Sequence, residues 1–407
     1  MSSSQKGFSD IARQAMLMPQ EALMAIRNRK NNLHIGIPKE TTFQENRIAL
    51  TPLSVGLLVH NGHDVVIESK AGQAAKFFDK DYSEEGARIV YDNKQVWESD
   101  IIIKVAPPTI EEIAMMKGGQ TLISAIQVTQ LKEDYLKLLM QKNITAIAFE
   151  YLRDEGGTLT VMRSMSEIVG TASIHIASEL LSTHNGKGLM LGGVTGIPPT
   201  EIVIIGAGTV GEYAARTAVA LGADVKVFDN SVYHLRRLQN NIGSRLFTSV
   251  VQPVVLQKAL SKCDVAIGAM RAKEGRSPCI VSEDMVSRMK ADSVIIDVSI
   301  DQGGVFETSK VTNHTQPVFR EYDVIHYCVP NIASRVARTA AYALTNIFTP
   351  LLIELGEAGG IKNYLWSNAG ARSGVYLYNG HLTNQYLSTQ FKLPFKDLDL
   401  LVAAQNG

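Results

Sequence analysis

From Leu33 onward, short apolar runs alternate with longer stretches of helical periodicity. LHIGIP predicts a strand, and TPLSVGLLVHNG predicts a helix closed by glycine. HDVVIES and SDIIIKVAPP predict two more strands, the second ended by paired prolines. TLISAIQVTQ and TAIAFEYL add two further strands. SMSEIVGTASIHIASELLSTH then keeps helical periodicity over some five turns, long enough to bridge two domains. Near-continuous apolar strands separated by helices predict a parallel sheet covered on both faces.

A glycine-rich loop, NGKGLMLGGVTGIPP, closes this half, and EIVIIGAGTVG opens a fresh run. DVKVFD, DVAIGAM, SVIIDVS and DVIHYCVP read as four more short strands, which completes a second doubly wound domain. RVARTAAYALTNIFTPLLIELGEAGG predicts a long helix that returns the chain to the first domain. The expected architecture is α/β, with two doubly wound domains and a cleft between them. The substrate domain would be discontinuous, residues 33–164 plus 340–407, around a nucleotide domain of residues 165–339. Residues 1–32, rich in Met, Ala and Gln with a basic end, predict a helical N-terminal extension.

Composition narrows the function classes. The 407 residues point to about two domains. Hydrophobic residues make up 45% and charged residues 20%, a globular profile. Lys plus Arg equal Asp plus Glu at 40 each, so no global field points to nucleic acid or to an acidic membrane. Cys263, Cys279 and Cys328 have no metal-ligand spacing and are too few and odd for a disulfide framework, which favours a reducing cytoplasm. No segment resembles a secretory signal, and no apolar run reaches the ~18 residues that cross a bilayer.

The chemistry begins at IIGAGTVG. Gly206, Gly208 and Gly211 have the G-x-G-x-x-G spacing, follow a strand and open a helix. Glycines there allow a tight turn and close backbone approach to a pyrophosphate, while the helix N-terminus offers N–H groups to it through Thr209 and Val210. Asp229 ends the next strand, where a carboxylate accepts from both ribose hydroxyls and repels a 2′-phosphate. Asn230 follows it with no arginine immediately adjacent, so NAD is favoured over NADP, although Arg236 and Arg237 lie a turn or two further on.

Three other places draw attention. Lys39, Glu40, Glu45 and Arg47 lie in the turn after the first strand, and Arg47 has the planar fork that grips a carboxylate; taken alone it also reads as a surface residue. Lys104 follows three isoleucines, so its stem starts in a buried strand, and desolvation would favour its neutral form. Asp297 and Asp301 bracket the end of SVIIDVSID, where ligands sit in open α/β sheets. Gly303 and Gly304 permit close approach beside them.

On the motifs IGIPKET with ENRIALTP, IIIKVAPP, SMSEIVG, LGGVTGIPP, IIGAGTVG, DVSIDQGG and NIASRVARTAAYALTN, the chain resembles alanine dehydrogenases and the related soluble nucleotide-binding part of proton-translocating transhydrogenases. ALTN and DQGG are more similar to the former. The resemblance implies two Rossmann-like domains, NAD as cofactor, and oxidative deamination of L-alanine or a similar small amino acid. It implies a cytoplasmic homo-oligomer built from dimers, with a hexamer as one form, and no nucleic-acid or membrane partner. It also implies roles: Arg47 for the substrate carboxylate, Lys104 for the keto or imino centre, and Asp301 for proton movement and ordering water. Ser166 would lie near the pyrophosphate, and Asn331 would face the nicotinamide and the substrate. One departure stands out. The acid/base histidine of the family corresponds here to Gln127, which cannot take a proton near neutral pH. With Gln127 there, Asp301 becomes the leading base or orders a water that is; His175 and His326 are further candidates, although each reads more simply as a core residue. A second departure, GAMRAKEGRSP, would put Arg271 near the cofactor.

Two alternatives stay open at this point. A transhydrogenase-like component would pass hydride to a second nucleotide and would not miss a histidine at position 127, but would have no use for a carboxylate clamp. A non-catalytic NAD-binding protein would have no reason to keep Arg47, Lys104 and Asp301.

Overall fold

The structure, a computed structural model, describes residues 32–128, 131–271 and 276–404. The expected helical extension, apart from Asn32, lies outside the described residues. The chain divides into two compact units, Met1–Val161 with Ala341–Gly407, and Met162–Ala340. It passes from the first to the second within helix Thr160–Leu181, and back within helix Ala337–Glu357.

In the first unit the strands are β1 (His34–Ile37), β2 (Asp64–Glu68), β3 (Arg88–Val90), β4 (Ile101–Ile103), β5 (Thr121–Ser124) and β6 (Thr145–Ala148). In the second they are β7 (Glu201–Ile205), β8 (Asp224–Phe228), β9 (Phe247–Ser249), β10 (Val265–Gly268), β11 (Val294–Asp297), β12 (Val318–Glu321) and β13 (Val324–Tyr327). The returning chain adds β14 (Val375–Tyr378) and β15 (His381–Leu382) to the first unit. The first sheet runs β15-β14-β6-β5-β4-β1-β2-β3, parallel from β6 to β3. The second runs β12-β13-β11-β10-β7-β8-β9, parallel except for β12.

Both sheets therefore share one winding. The chain builds outward from the first strand in one direction, then returns and builds outward on its other side. The direction reverses between β1 and β4 in one unit and between β7 and β10 in the other. At such a switch point, loops leave the carboxyl ends of adjacent strands on opposite sides and open a crevice. The inner strands are buried on both faces, as the runs predicted; β5, β6, β10, β11 and β13 are buried at every residue.

The hairpin at the C-terminal end was not expected. VYLYNGHL carries an Asn-Gly turn, with Asn379 at φ 45° and Gly380 at φ 76°, the left-handed pair that a two-residue hairpin needs. A second difference concerns Ile332–Glu357, which is long and apolar enough to cross a bilayer by length and composition. Its Leu344, Phe348, Leu352 and Leu355 are buried inside the fold, which makes it a core helix here.

Close packing at the centre of the first sheet is visible at Gly36. A Cβ there would overlap the Val96 carbonyl oxygen and press on the Ser99 hydroxyl. We expect Gly36→Ala to lower unfolding free energy by about 1–3 kcal/mol, the usual cost of overpacking. Chemical denaturation of the two proteins side by side measures it.

Candidate substrate and nucleotide sites

Four adjacent strands of the first unit deliver polar groups from their carboxyl ends: Glu40 after β1, Lys104 after β4, Gln127 after β5 and Glu150 after β6. Lys104 has no exposed side-chain surface. Its Nζ donates to both oxygens of Glu112, at 3.0 and 2.9 Å, and lies 3.7 Å from the Glu40 carboxylate. Lys104 is thus an ion-paired group rather than the lone buried amine that the sequence suggested. Glu112 is itself held in place. It reaches back to the Thr109 amide at 2.8 Å while the Thr109 hydroxyl accepts from its own amide, a capping box at the start of helix Ile110–Met115. The Thr41 hydroxyl also donates to Glu112, at 2.9 Å.

Glu40 accepts from the amides of Val105 at 2.6 Å and Ala106 at 3.2 Å, so it also fixes the backbone just beyond Lys104. Burial raises its carboxyl to about 7, against the pull of Lys104, with the negative charge of Glu45 adding to the rise. Arg47 is mostly buried and forked on Glu45: Nε donates at 2.8 Å, Nη2 at 2.6 Å and the Arg47 amide at 3.0 Å. This bidentate pair locks the plane of the guanidinium. Gln127 sits at φ 47°, in a turn held by Glu150, which accepts from the amides of Ile126 and Gln127.

In the second unit the glycine loop leaves β7 at the switch point. Gly206 has φ 114°, a conformation open to glycine, and a Cβ on Gly211 would overlap the Gly206 carbonyl oxygen. A Cβ on Gly208 would meet nothing within 4 Å. Gly208 caps helix Thr209–Ala220 without a side-chain hydrogen bond, so the amides of Thr209, Val210 and Gly211 have no side-chain cap. Helix Thr160–Leu181 packs close to this first turn, since a Cβ on Gly170 would overlap the Val210 carbonyl oxygen; Ser166 lies one turn earlier on that helix. Asp229, directly after β8, accepts from the Ala207 and Ser231 amides, both at 2.7 Å, and Asn230 beside it is exposed. Of the two arginines that kept NADP in view, Arg237 donates to the Ala207 carbonyl oxygen and lies 3.7 Å from Glu212, and Arg236 is exposed. An open helix start, a glycine turn and a strand-end acid fit a dinucleotide with a free 2′-hydroxyl.

The two aspartates after β11 do different work. Asp297 is wholly buried and accepts from the amides of Ser299, Val305 and Phe306 and from the Ser309 hydroxyl, which ties down the following loop. Gly303 and Gly304, both at positive φ, are approached by the Arg276 side chain and by that carboxylate. Asp301 is crowded by protein yet reached by solvent; the crowding pushes its carboxyl up, and the Arg271 guanidinium opposes this. Asn331 adopts φ 59°, and its carbonyl oxygen lies 3.3 Å from His314 Nε2. His326 is buried, stacked on Phe319 and bonded to Thr308 and to the Val324 carbonyl oxygen, while burial lowers its pKa. It is a core residue. His175 is exposed on helix Thr160–Leu181.

Sequence reasoning gave no role to Glu40, Glu45, Glu112, Glu150 or His314. The T-x-x-E pattern at Thr109–Glu112 was a readable signal for one of them. Glu45 pairs with Arg47 only two residues on, whereas Glu40, Glu150 and His314 pair with residues of other segments that sequence distance does not reveal.

Two switch-point sheets, one carrying a glycine loop with a strand-end acid and the other a buried Lys–Glu cluster beside an Arg–Glu fork, define a two-unit dinucleotide-binding oxidoreductase scaffold. Models of the alanine dehydrogenase/PNT family match residues 36–169 (N-terminal domain) and 172–385 (C-terminal domain), and the chain belongs to that family. It is 38% identical over 351 residues to an alanine dehydrogenase of Bacillus subtilis (strain 168), covering 86% of this chain and 92% of that protein. It is 36% identical over 365 residues to an alanine dehydrogenase of Mycolicibacterium smegmatis, covering 89% and 98%. A solved L-alanine dehydrogenase superposes with a TM-score of 0.82 at 35% identity, over 88% of this chain and 99% of the other. A transhydrogenase from Sinorhizobium meliloti shares the fold, with a TM-score of 0.73 at 22% identity over 86% of this chain and 99% of the other.

The glycine loop yields a direct expectation. Gly211→Ala must displace the Gly206 carbonyl, so NADH affinity should fall at least about tenfold, or ~1.4 kcal/mol. Titration by the fluorescence of bound NADH reads it, and unchanged affinity would remove this loop from the nucleotide site.

Proposed function

We propose that the chain catalyses NAD-dependent oxidative deamination of L-alanine, or of an amino acid of similar size, to the keto acid and ammonia. The observation that carries the reading is the coexistence, in one chain, of a preset guanidinium and ammonium on one sheet and an uncapped glycine loop with a strand-end acid on the other. Membership of the alanine dehydrogenase/PNT family supports it. Bound NAD supplies the hydride acceptor.

The chain's own residues do the rest. Arg47 binds the substrate carboxylate, and because Glu45 already fixes its plane, little orientational freedom is lost on binding. Lys104 donates to the oxygen that forms on the α-carbon and stabilises charge developing there. Ser166, Gly206, Gly208, Thr209, Val210 and Gly211 hold the pyrophosphate. Asp229 turns its carboxylate to the ribose hydroxyls, with Asn230 at its side. Asn331 orients the nicotinamide and the substrate, and Asp301 orders water. Asp229 repels a 2′-phosphate and Arg237 is engaged by Ala207 and Glu212, which together favour NAD over NADP. A transhydrogenase role gains nothing from a fork and a buried ammonium built for a small carboxylate. Assembly as a cytoplasmic homo-oligomer of dimers belongs to the same reading; exposed Leu53 and Leu57 on helix Pro52–His60 suit a subunit contact.

The test is NADH oxidation by the purified protein with pyruvate and ammonium, with glyoxylate and larger keto acids in parallel. Turnover should be fastest with pyruvate. Arg47→Lys should raise the KM for pyruvate roughly 10- to 100-fold, the worth of one charge-assisted hydrogen bond of about 1.5–3 kcal/mol. NADH binding without turnover of any keto acid would overturn the reading.

A further inference from the structure

Deamination passes through an imine, and hydrolysis of the imine needs a base when water adds. Gln127 cannot serve, because an amide accepts no proton near neutral pH, and Asp301, in the second unit, is given above the ordering of water. The histidines of the first unit stand elsewhere. His34 opens β1 beside Asp64, His60 and His63 precede β2, and His381 lies in the edge strand β15.

Four carboxylates lie beyond the carboxyl ends of β1, β4 and β6, and two of them hold a cation at hydrogen-bond distance. Glu45 is forked on Arg47, and Glu112 holds Lys104, Thr41 and the Thr109 amide. Glu150 accepts from the amides of Ile126 and Gln127. Glu40 is anchored in the same way by two backbone amides, but it stands beside the Lys104 ammonium, 3.7 Å away and beyond hydrogen-bond reach. Resting on the alanine-type reaction proposed above, we infer that the Glu40 carboxylate is the proton acceptor of imine hydrolysis in this chain.

The step balances as follows. The water oxygen bonds to the imine carbon, the C=N π pair moves to nitrogen, and the water proton goes to Glu40. Glu40 passes it to the carbinolamine nitrogen. The C–N bond then breaks with its pair on nitrogen, the carbonyl forms, and Glu40 takes the hydroxyl proton. That proton leaves on ammonia as ammonium, which restores the carboxylate. The net change is iminium plus water to carbonyl plus ammonium, with no further reactant.

The surroundings suit a group that must both take and return a proton. Lys104, Arg47 and Glu45 face Glu40, with Glu112 behind Lys104. Burial places its titration at about 7, where acceptor and donor forms are both available. The sign follows: the carboxylate is the active form, so alanine oxidation gains as pH rises through about 7.

The experiment is steady-state alanine oxidation across pH for wild type, Glu40→Gln, Glu40→Asp, Gln127→His and the Glu40→Gln/Gln127→His double variant. NADH affinity and Tm are measured on each. Wild type should show an inflection in kcat/KM near 7. Glu40→Gln should abolish the inflection and lower kcat roughly 10²- to 10⁴-fold, the usual worth of a positioned base. Glu40→Asp should keep an inflection, and Gln127→His should restore at least about tenfold of the rate lost in the Glu40→Gln background. An inflection that survives Glu40→Gln overturns the inference, as does a loss that neither Glu40→Asp nor the new imidazole relieves. If the wild type binds NADH but oxidises no amino acid, the reaction proposed above fails, and the Glu40 assignment fails with it.

Discussion

The Lys104 ammonium has no exposed surface, and a buried cation must find anions or become neutral. Much of the first unit's crevice is arranged around that requirement. Glu112 answers it at hydrogen-bond distance and Glu40 at longer range. Each of those carboxylates is in turn held by backbone amides, so the charges cannot drift apart without breaking local structure. Glu112 is both the cap of its helix and the partner of Lys104; Glu40 is both an anchor for residues 105 and 106 and a neighbour of the ammonium.

The same economy recurs in the second unit with different chemistry. There the uncapped groups are backbone amides, and side chains fix the path of the backbone. Asp229 braces the glycine turn through the Ala207 amide, and Asp297 braces the loop after β11 through three amides and a hydroxyl. Glu40 with Lys104 in one unit and the glycine loop in the other lie where the winding of the sheet reverses, so a shared topology places two unlike clusters of polar groups.

The fold was largely legible because its signal is coarse. Apolar strands followed by helices admit few arrangements, and the right-handed crossover rule leaves the doubly wound one. The C-terminal hairpin escaped although Asn379-Gly380 advertised it, because its strands are short and lie far in sequence from the sheet they join. Within the sites, local patterns were legible: the three glycines, the acid closing β8, and a lysine emerging from three isoleucines. Partnerships between distant segments were not. Glu40 and Lys104 are brought together by pairing of β1 with β4, and no spacing reveals it. Asp297 and Asp301 read alike in sequence; only the fold shows one sealed inside and the other open to solvent. Lys104 was expected as a bare amine for the same reason, since its anions lie on other elements.

The antiparallel strand β14 pairs with β6, yet Ala148 and Val375 are separated by the whole of the second unit. During synthesis from the ribosome, β6 is made first and waits, unpaired along one side, while more than two hundred intervening residues emerge. At roughly 5–20 residues per second, that wait lasts on the order of ten seconds or more. The inserted unit is contiguous and can close while its host is still unfinished. A nascent chain of this design carries an open strand edge, apolar at three of its four residues, while the second unit is being made, so its yield in the cell depends on how well that edge is shielded from other chains until the tail arrives.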